Sequence, residues 1–374
     1  MENKNAVRCA IIGIGAQGRK YALALSRGEA KDLSLSAVCC RSEESANWAR
    51  EHLGTDVKIV HGENELYGNA GQFDAVIIAT PHRQHPAMTI RALKNGKHVL
   101  CDKPAGITVS DAAAMNEAAA QAGKVYAMMC NQRACRQNRR LKELLDREEI
   151  GTLVRVTQIN SRNFRTKSYH ESSEWRSSWK GEGGGALINQ GYHLLDLWQY
   201  LFGIPESVYA EIPFGKYNSF RVDDEDTLIM RYANGMTGTF ILTTGEGTWT
   251  ERLEIAGTRG RIVLDKNRLT VTRLNLDAAE YAASARRTGR EDLMESETVE
   301  IFSSQEDAYR IMLNNFAEAI LEGKPLIAPG TDGEKTLEII NGAYMSAWLG
   351  EKVSLPVDRR EYEKLLGDRE EQEG

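Results

Sequence analysis

Between Val7 and Arg27 the chain runs from an apolar, β-branched segment, Val7–Ile12, through Gly13-Ile14-Gly15-Ala16-Gln17-Gly18 into a helical pattern. A G-x-G-x-x-G turn in that setting constrains the fold more than any other feature. Gly13 permits the tight turn, Gly15 lets the backbone approach a pyrophosphate, and Gly18 allows close helix–strand packing, with Ala16 and Gln17 at the helix N-terminus that faces the anion. The competing reading is an ordinary glycine-rich turn. Its place on the first strand of a βαβ series favours a dinucleotide site.

The rhythm that follows supports that placement. Strand-sized apolar runs at Ser34–Cys40, Ala75–Ala79, His98–Asp102 and Val125–Met129 alternate with helical patterns at Gly18–Arg27, Ser42–Leu53, His85–Asn95 and Ser110–Ala122. Near-continuously apolar strands separated by helices imply a parallel sheet covered on both faces. From Leu153 the pattern changes to successive strands, with an Asn234-Gly235 hairpin signal between two of them. Helices are expected at Ala186–Phe202, Ala308–Leu321 and Gly333–Leu349. The fold class is therefore an α/β Rossmann domain plus a C-terminal α+β domain with a large open, mostly antiparallel sheet. The expected divisions are 1–130 for dinucleotide binding, 131–358 for substrate binding and oligomerisation, and a charged tail at 359–374 that frays or forms a solvated helix.

Composition removes other classes. Over 374 residues, 47 Lys and Arg stand against 53 Asp and Glu, a net charge of −6 with no basic block, which makes nucleic acid a poor partner. The longest apolar stretches, such as Ala75–Ala79, are too short for the ~18 residues of a membrane span. The N-terminus lacks a signal-peptide pattern, so the expected location is cytoplasmic. Six cysteines, Cys9, Cys39, Cys40, Cys101, Cys130 and Cys135, show no Cys-x-x-Cys spacing and read as reduced core thiols. His82 and His85 have no acidic or thiol partners at ligand spacing, so no metal site is expected.

The second strand ends in Val38-Cys39-Cys40-Arg41-Ser42, without the carboxylate that usually takes the ribose hydroxyls of NAD. Arg41 can pair with a 2′-phosphate. NAD and NADP both remain open, and the Cys40-Arg41 pair favours NADP, with Arg41 and Ser42 at the adenosine end.

Two central segments carry more. Asp74–Pro86 (DAVIIATPHRQHP) and Ala92–Pro104 (ALKNGKHVLCDKP) combine a strand ending in Thr-Pro, a downstream His, an A-L-x-x-G-K-H-V-L run and a D-K-P tripeptide. Together with Leu141–Val156 and Gly183–Asp196 (GGGALINQGYHLLD), they resemble the Gfo/Idh/MocA oxidoreductases almost end to end. The resemblance implies that Thr80, Pro81 and His85 line the nicotinamide side of the cofactor and that Asp102 and Lys103 end a strand at the cleft. Asp102 stands where the family's commoner residue is Glu. Lys103, at the carboxyl end of a parallel strand and followed by Pro104, points to a cofactor- and substrate-facing ammonium, its pKa lowered by partial burial and a cationic ring.

The same resemblance implies an acid–base histidine at His193, with Asn189 in a position often held by Asp. The two are spaced i and i+4, on one helix face, and histidine titrates near neutral pH. Asn189 cannot take a proton but can orient a hydroxyl. The run Gly183-Gly184-Gly185 is read as backbone free to approach a ligand. Arg133 aligns with a substrate-side position, and Arg162 and Trp175 belong to an aromatic and polar stretch suited to a sugar ring.

The expected activity is an NAD(P)-dependent dehydrogenase that oxidises a secondary ring hydroxyl of a sugar, glycoside or inositol, with Lys103 and His193 as catalytic residues, in a homo-oligomer, dimer or tetramer. One rival is a redox-neutral enzyme that cleaves or epimerises glycosides through a keto-sugar on tightly held NAD. The other is a non-catalytic regulator that senses a dinucleotide.

Overall fold

The computed structural model describes residues 6–68, 70–303 and 307–373. The chain divides into two units: the first holds the described residues up to Ala134 with Gly181–Gly183 and Asp307–Leu337, and the second holds the remainder.

In the first unit, β1 (Val7–Ile12), α1 (Ala16–Ser26), β2 (Leu33–Cys39), α2 (Glu43–His52), β3 (Lys58–Val60), α3 (Glu63–Gly68), β4 (Ala75–Ile78), α4 (His85–Lys94), β5 (His98–Cys101), α5 (Val109–Ala122) and β6 (Tyr126–Met128) alternate as the sequence implies. The six strands form one sheet in the order β3-β2-β1-β4-β5-β6, every pairing parallel. Every residue of β4 is buried, which explains its unbroken apolar run. Local chemistry sets the helix ends. The Ser42 hydroxyl accepts from Ser45 N at the start of α2, and Thr108 and Asp111 form a reciprocal capping box on α5, which stops at Gly123 in the left-handed region.

In the second unit, α6 (Arg136–Asp146) precedes β7 (Leu153–Asn160) and the short α7 (Lys167–His170). A π-helical turn, Leu187–Gly191, runs into α8 (Tyr192–Phe202). There follow β8 (Ser207–Glu211), β9 (Glu225–Arg231), β10 (Thr237–Thr243), β11 (Glu251–Gly257), β12 (Gly260–Asp265), β13 (Arg268–Leu274), α9 (Ala278–Ser284) and β14 (Glu295–Ile301). The strands join β15 (Val353–Ser354) in a nine-stranded sheet ordered β14-β13-β12-β11-β7-β10-β9-β8-β15. Only the β7–β10 pair is parallel. One face buries Leu228, Met230 and Phe240, and the other leaves Tyr209, Ile229, Val299 and Ile301 exposed.

One expectation about the divisions is corrected and another is sharpened. The helix α10 (Ala308–Glu322) belongs to the first unit, with the segment up to Leu337, rather than to a domain running from 131 to 358. Tyr309 meets Tyr21 with ring centroids 6.1 Å apart, and Asn314 Oδ1 accepts from Lys31 N. α11 (Thr331–Leu349) contributes its start to the first unit and its remainder to the second. The charged tail takes its helical alternative, and the helix packs. α12 (Arg359–Gln372) buries Tyr362 and Leu366, Tyr362 stacks on Trp348, and the Glu373 carboxylate accepts from Trp179 N and Lys180 N. A helix whose mean composition is charged still packs when one stripe is apolar.

No helix among the described residues is long and apolar enough to cross a membrane.

Candidate functional site

Register sets the level of the first unit's strand ends. Ile12 pairs with Ile78, and Ile78 with Cys101, so β1, β4 and β5 finish side by side. Three segments therefore emerge from one edge of the sheet: the Gly13–Gly18 turn, Thr80-Pro81, and Asp102-Lys103. The strand order reverses between β1 and β4, and at such a switch point a crevice opens outside the carboxyl ends.

The glycine turn fits a pyrophosphate. Gly13 has φ +95°, and a Cβ there would lie 2.6 Å from Ala79 O. A Cβ on Gly18 would lie 1.9 Å from Gly13 O, so the turn and the first residues of α1 are in direct contact. At Gly15 a Cβ would meet nothing within 4 Å, so its space is open to a ligand. Gly15 also serves as N-cap without any capping side chain, leaving the first-turn N–H groups of Ala16 and Gln17 for an anion.

At the adenosine end, Arg41 is exposed just beyond β2 and Ser42 caps α2. Two arginines unnoticed in the sequence stand near them. Burial pushes the Cys40 thiol up, and the positive charges of Arg50 and Arg19 oppose it. Arg50 pairs with Glu43 at 2.6 Å, and Arg19 pairs with Glu44 at 3.1 Å while lying over the Trp48 ring.

Asp102 and Lys103 follow β5 and are half-buried. Asp102 Oδ2 accepts from Tyr21 OH at 3.2 Å and Oδ1 from Lys103 N at 2.9 Å. Burial pushes the Asp102 pKa up, against the favourable charges of Lys103 and His85. His85 itself requires a correction. It is fully buried, with Nδ1 2.7 Å from Pro104 O and Nε2 2.7 Å from Thr80 O. Burial pushes its pKa down, while both carbonyls favour the protonated ring. Rather than lining a ligand surface, His85 braces the end of β4 against the turn that follows Lys103.

Arg133 is corrected too. Its side chain is 0% exposed and its guanidinium donates to Asp332 Oδ2 at 2.6 Å and to Ile327 O at 3.3 Å. It holds the 3₁₀ turn after β6 to the segment that opens α11, and no surface remains for a substrate.

The second unit carries Asn189 on the π-helical turn and His193 on α8. Such a turn inserts an extra residue into a helix and is frequent at functional sites. Asn189 Nδ2 and Gln190 Nε2 donate to Tyr169 OH at 3.2 and 3.1 Å, and Arg176 Nη1 donates to it at 2.9 Å. The guanidinium groups of Arg165 and Arg176 lie over the Tyr169 ring, and Arg176 also lies over Trp175. Tyr169 is thus a hub that the sequence did not single out from its aromatic neighbours. Arg162 is half-exposed, 3.6 Å from Glu251 and over Trp249, outside that hub.

The glycine run Gly183–Gly185 is occupied by protein rather than open to a ligand. A Cβ on Gly183 would lie 2.5 Å from Ile107, on Gly184 2.3 Å from Tyr344 OH, and on Gly185 2.1 Å from Asp223 O. Among the described residues, no group of three His, Cys, Asp or Glu side chains is placed to hold a metal ion.

Comparison with known proteins agrees with this geometry. Residues 7–130 match the profile of an oxidoreductase family with an NAD-binding Rossmann fold, and residues 138–263 match the GFO/IDH/MocA C-terminal domain. The chain is 25% identical to myo-inositol 2-dehydrogenase of Thermotoga maritima over 88% of this chain and 93% of that one. It is 25% identical to trans-1,2-dihydrobenzene-1,2-diol dehydrogenase of Bos taurus, over 68% and 73%. The WlbA dehydrogenase of Bordetella pertussis, solved with NADH and UDP-GlcNAcA, shares the fold with a TM-score of 0.78 at 20% identity, over 94% of this chain and all of that one. With both of its halves matched and the strand ends arranged for a dinucleotide, the chain belongs to the Gfo/Idh/MocA family of NAD(P)-dependent oxidoreductases.

Proposed function

We propose that this enzyme oxidises a secondary ring hydroxyl of a sugar, glycoside or cyclitol to the ketone. The observation that carries the proposal is the level ending of β1, β4 and β5, which groups the open Gly15 backbone with Lys103 along one edge of the sheet. Gly13, Gly15 and Gly18, with the N–H groups of Ala16 and Gln17, hold the pyrophosphate, and Thr80 and Pro81 border the ring end. A bound nicotinamide supplies the hydride acceptor. His193 withdraws the hydroxyl proton onto a ring nitrogen, and the Lys103 ammonium stabilises the oxygen as negative charge develops. Asn189, held by Tyr169, orients a neighbouring hydroxyl. Support for a polyhydroxylated ring comes from the inositol- and diol-oxidising relatives and from the aromatic and cationic cluster around Tyr169 and Trp175. The apolar side chains exposed on the outer face of the nine-stranded sheet, Tyr209, Ile229, Val299 and Ile301, support a homo-oligomer, dimer or tetramer.

Inositols, aldoses and glycosides assayed with NAD and with NADP test the activity. Reduced cofactor accumulating with a ring polyol is the expected result. Turnover of a glycoside with retained nicotinamide and no free reduced cofactor would instead indicate redox-neutral chemistry, and binding without turnover a regulator.

The proposal includes a preference for NADP. A charge-assisted hydrogen bond contributes about 1.5–3 kcal/mol, so Arg41→Ala is expected to weaken NADP binding about 10- to 100-fold and leave NAD binding unchanged. Equal affinities for NADP in the wild type and the variant, measured by calorimetry, would refute the preference.

A further inference from the structure

Leading into β9 the chain reads Asp223-Asp224-Glu225-Asp226, a run that looks solvated, yet all three aspartates are buried, at 1%, 2% and 0% exposure. Asp224 is occupied with the loop before it, accepting from the N–H groups of Lys216, Tyr217 and Asn218. Asp223 reaches further. Its Oδ1 accepts from Gly185 N at 2.7 Å and from Tyr344 OH at 2.8 Å, and its Oδ2 accepts from Leu187 N at 2.6 Å. Its backbone carbonyl accepts from Ala186 N at 3.0 Å. Three successive N–H groups at the head of the helical run that carries Asn189 and His193 thus end on one residue.

We infer that Asp223 is the positioning residue that sets the rotation and advance of this helical run, and through it the placement of Asn189 and His193. Four observations make the contact a latch rather than an ordinary cap. A cap on a helix in water accepts with a side-chain oxygen, whereas here both carboxylate oxygens and the main-chain carbonyl are engaged and nothing is solvated. The glycines are shaped to the latch: any side chain at Gly185 would strike Asp223 O, and any at Gly184 would strike Tyr344 OH. Asn189 N bonds Gly185 O at 3.1 Å, so displacement of Gly185 is passed directly to Asn189. Burial and the charges of Asp223 and Asp224 push the pKa of the fully buried Asp226 up, which favours its uncharged form beside the accepting carboxylate. A helix whose start is fixed at three atoms cannot roll, which is what a histidine needs if its ring must meet one proton of one hydroxyl.

This inference rests on the acid–base role proposed for His193, and the test separates the two. Asp223→Asn replaces one accepting oxygen by an amide that faces N–H groups. Turnover on the best substrate of the panel is expected to fall about 100-fold in that variant, the order of loss that follows a small misplacement. Cofactor affinity should be unchanged. With ¹⁵N-histidine labelling, the ring resonances of His193, assigned by their loss in His193→Ala, are expected to move, while those of His52 in the first unit stay. Tyr344→Phe keeps the ring that stacks on Trp348, removes one donor, and should lower turnover less but in the same direction. A folded Asp223→Asn variant with wild-type turnover and unmoved His193 resonances, beside an inactive His193→Ala, would overturn the latch and leave the proposed function standing. Full activity in His193→Ala would overturn both. Should Asp223→Asn fail to fold, Tyr344→Phe with unchanged turnover and unmoved resonances would overturn the latch.

Discussion

Lys103→Ala and His193→Ala are each expected to lower turnover about 10²- to 10⁴-fold, the range that positioned acid–base groups contribute. Each side chain sits on a rigid element. Lys103 follows β5, with its backbone N–H fixed by Asp102 and the next residue braced by His85. His193 lies in the first turn of α8, whose approach is latched by Asp223. Neither side chain belongs to the Gly13–Gly18 turn, so dinucleotide affinity, measured by fluorescence titration, should change little. The double variant should lose far less than the product of the single losses, because groups that share one proton transfer act as a unit. Wild-type turnover in either single variant would remove that residue from the chemistry. Loss of dinucleotide affinity together with turnover would assign Lys103 to cofactor binding alone.

The second large effect concerns stability. Asp332→Ala removes the carboxylate that lies 2.6 Å from the Arg133 guanidinium, whose side chain is 0% exposed. Breaking a buried pair from one side costs about 3–5 kcal/mol, because the remaining charge stays desolvated. Burial opposes the charged form of Asp332, but Lys335 and Arg133 outweigh it and hold its pKa below the ordinary carboxylate value. A group whose pKa is depressed by folding adds stability that is complete above its unfolded pKa of about 3.9 and is lost as the pH falls through the folded value. The gap between wild type and variant in urea unfolding should therefore be full at neutral pH and close only in acid. A gap below about 1 kcal/mol at neutral pH would place the pair with exposed ion pairs. Arg133→Met, of similar length and without a charge, should be better tolerated than Asp332→Ala.

The readings that survived in the structure are those that depend on neighbours along the chain. Gly13, Gly15 and Gly18 announce a tight strand-to-helix turn because backbone freedom and the missing Cβ act within six residues. The apolar run at Ala75–Ile78 and the alternation in β9 report burial on two faces or on one, and both are local periodicities. The short β3 was missed because three residues carry no period, and the packing of α12 was missed because composition hid its buried Tyr362 and Leu366.

What only tertiary structure decided is the use of charges and glycines whose partners lie far away in sequence. Arg133 looked like a substrate contact until Asp332, 199 residues on, neutralised it. His85 looked like a ligand-facing ring until two carbonyls enclosed it. Gly184 and Gly185 looked open until Tyr344 and Asp223 filled their space, and Asp223 itself lay unnoticed in an acidic run. The sequence by itself determined the Rossmann half, the sheet that follows it, and Lys103 and His193 as the groups to test, since turns, periodicity and motif spacing are written in contiguous residues. Which polar groups face a ligand and which serve the fold was decided by long-range closure, because the cost of burying a charge is met by a partner that no local stretch contains.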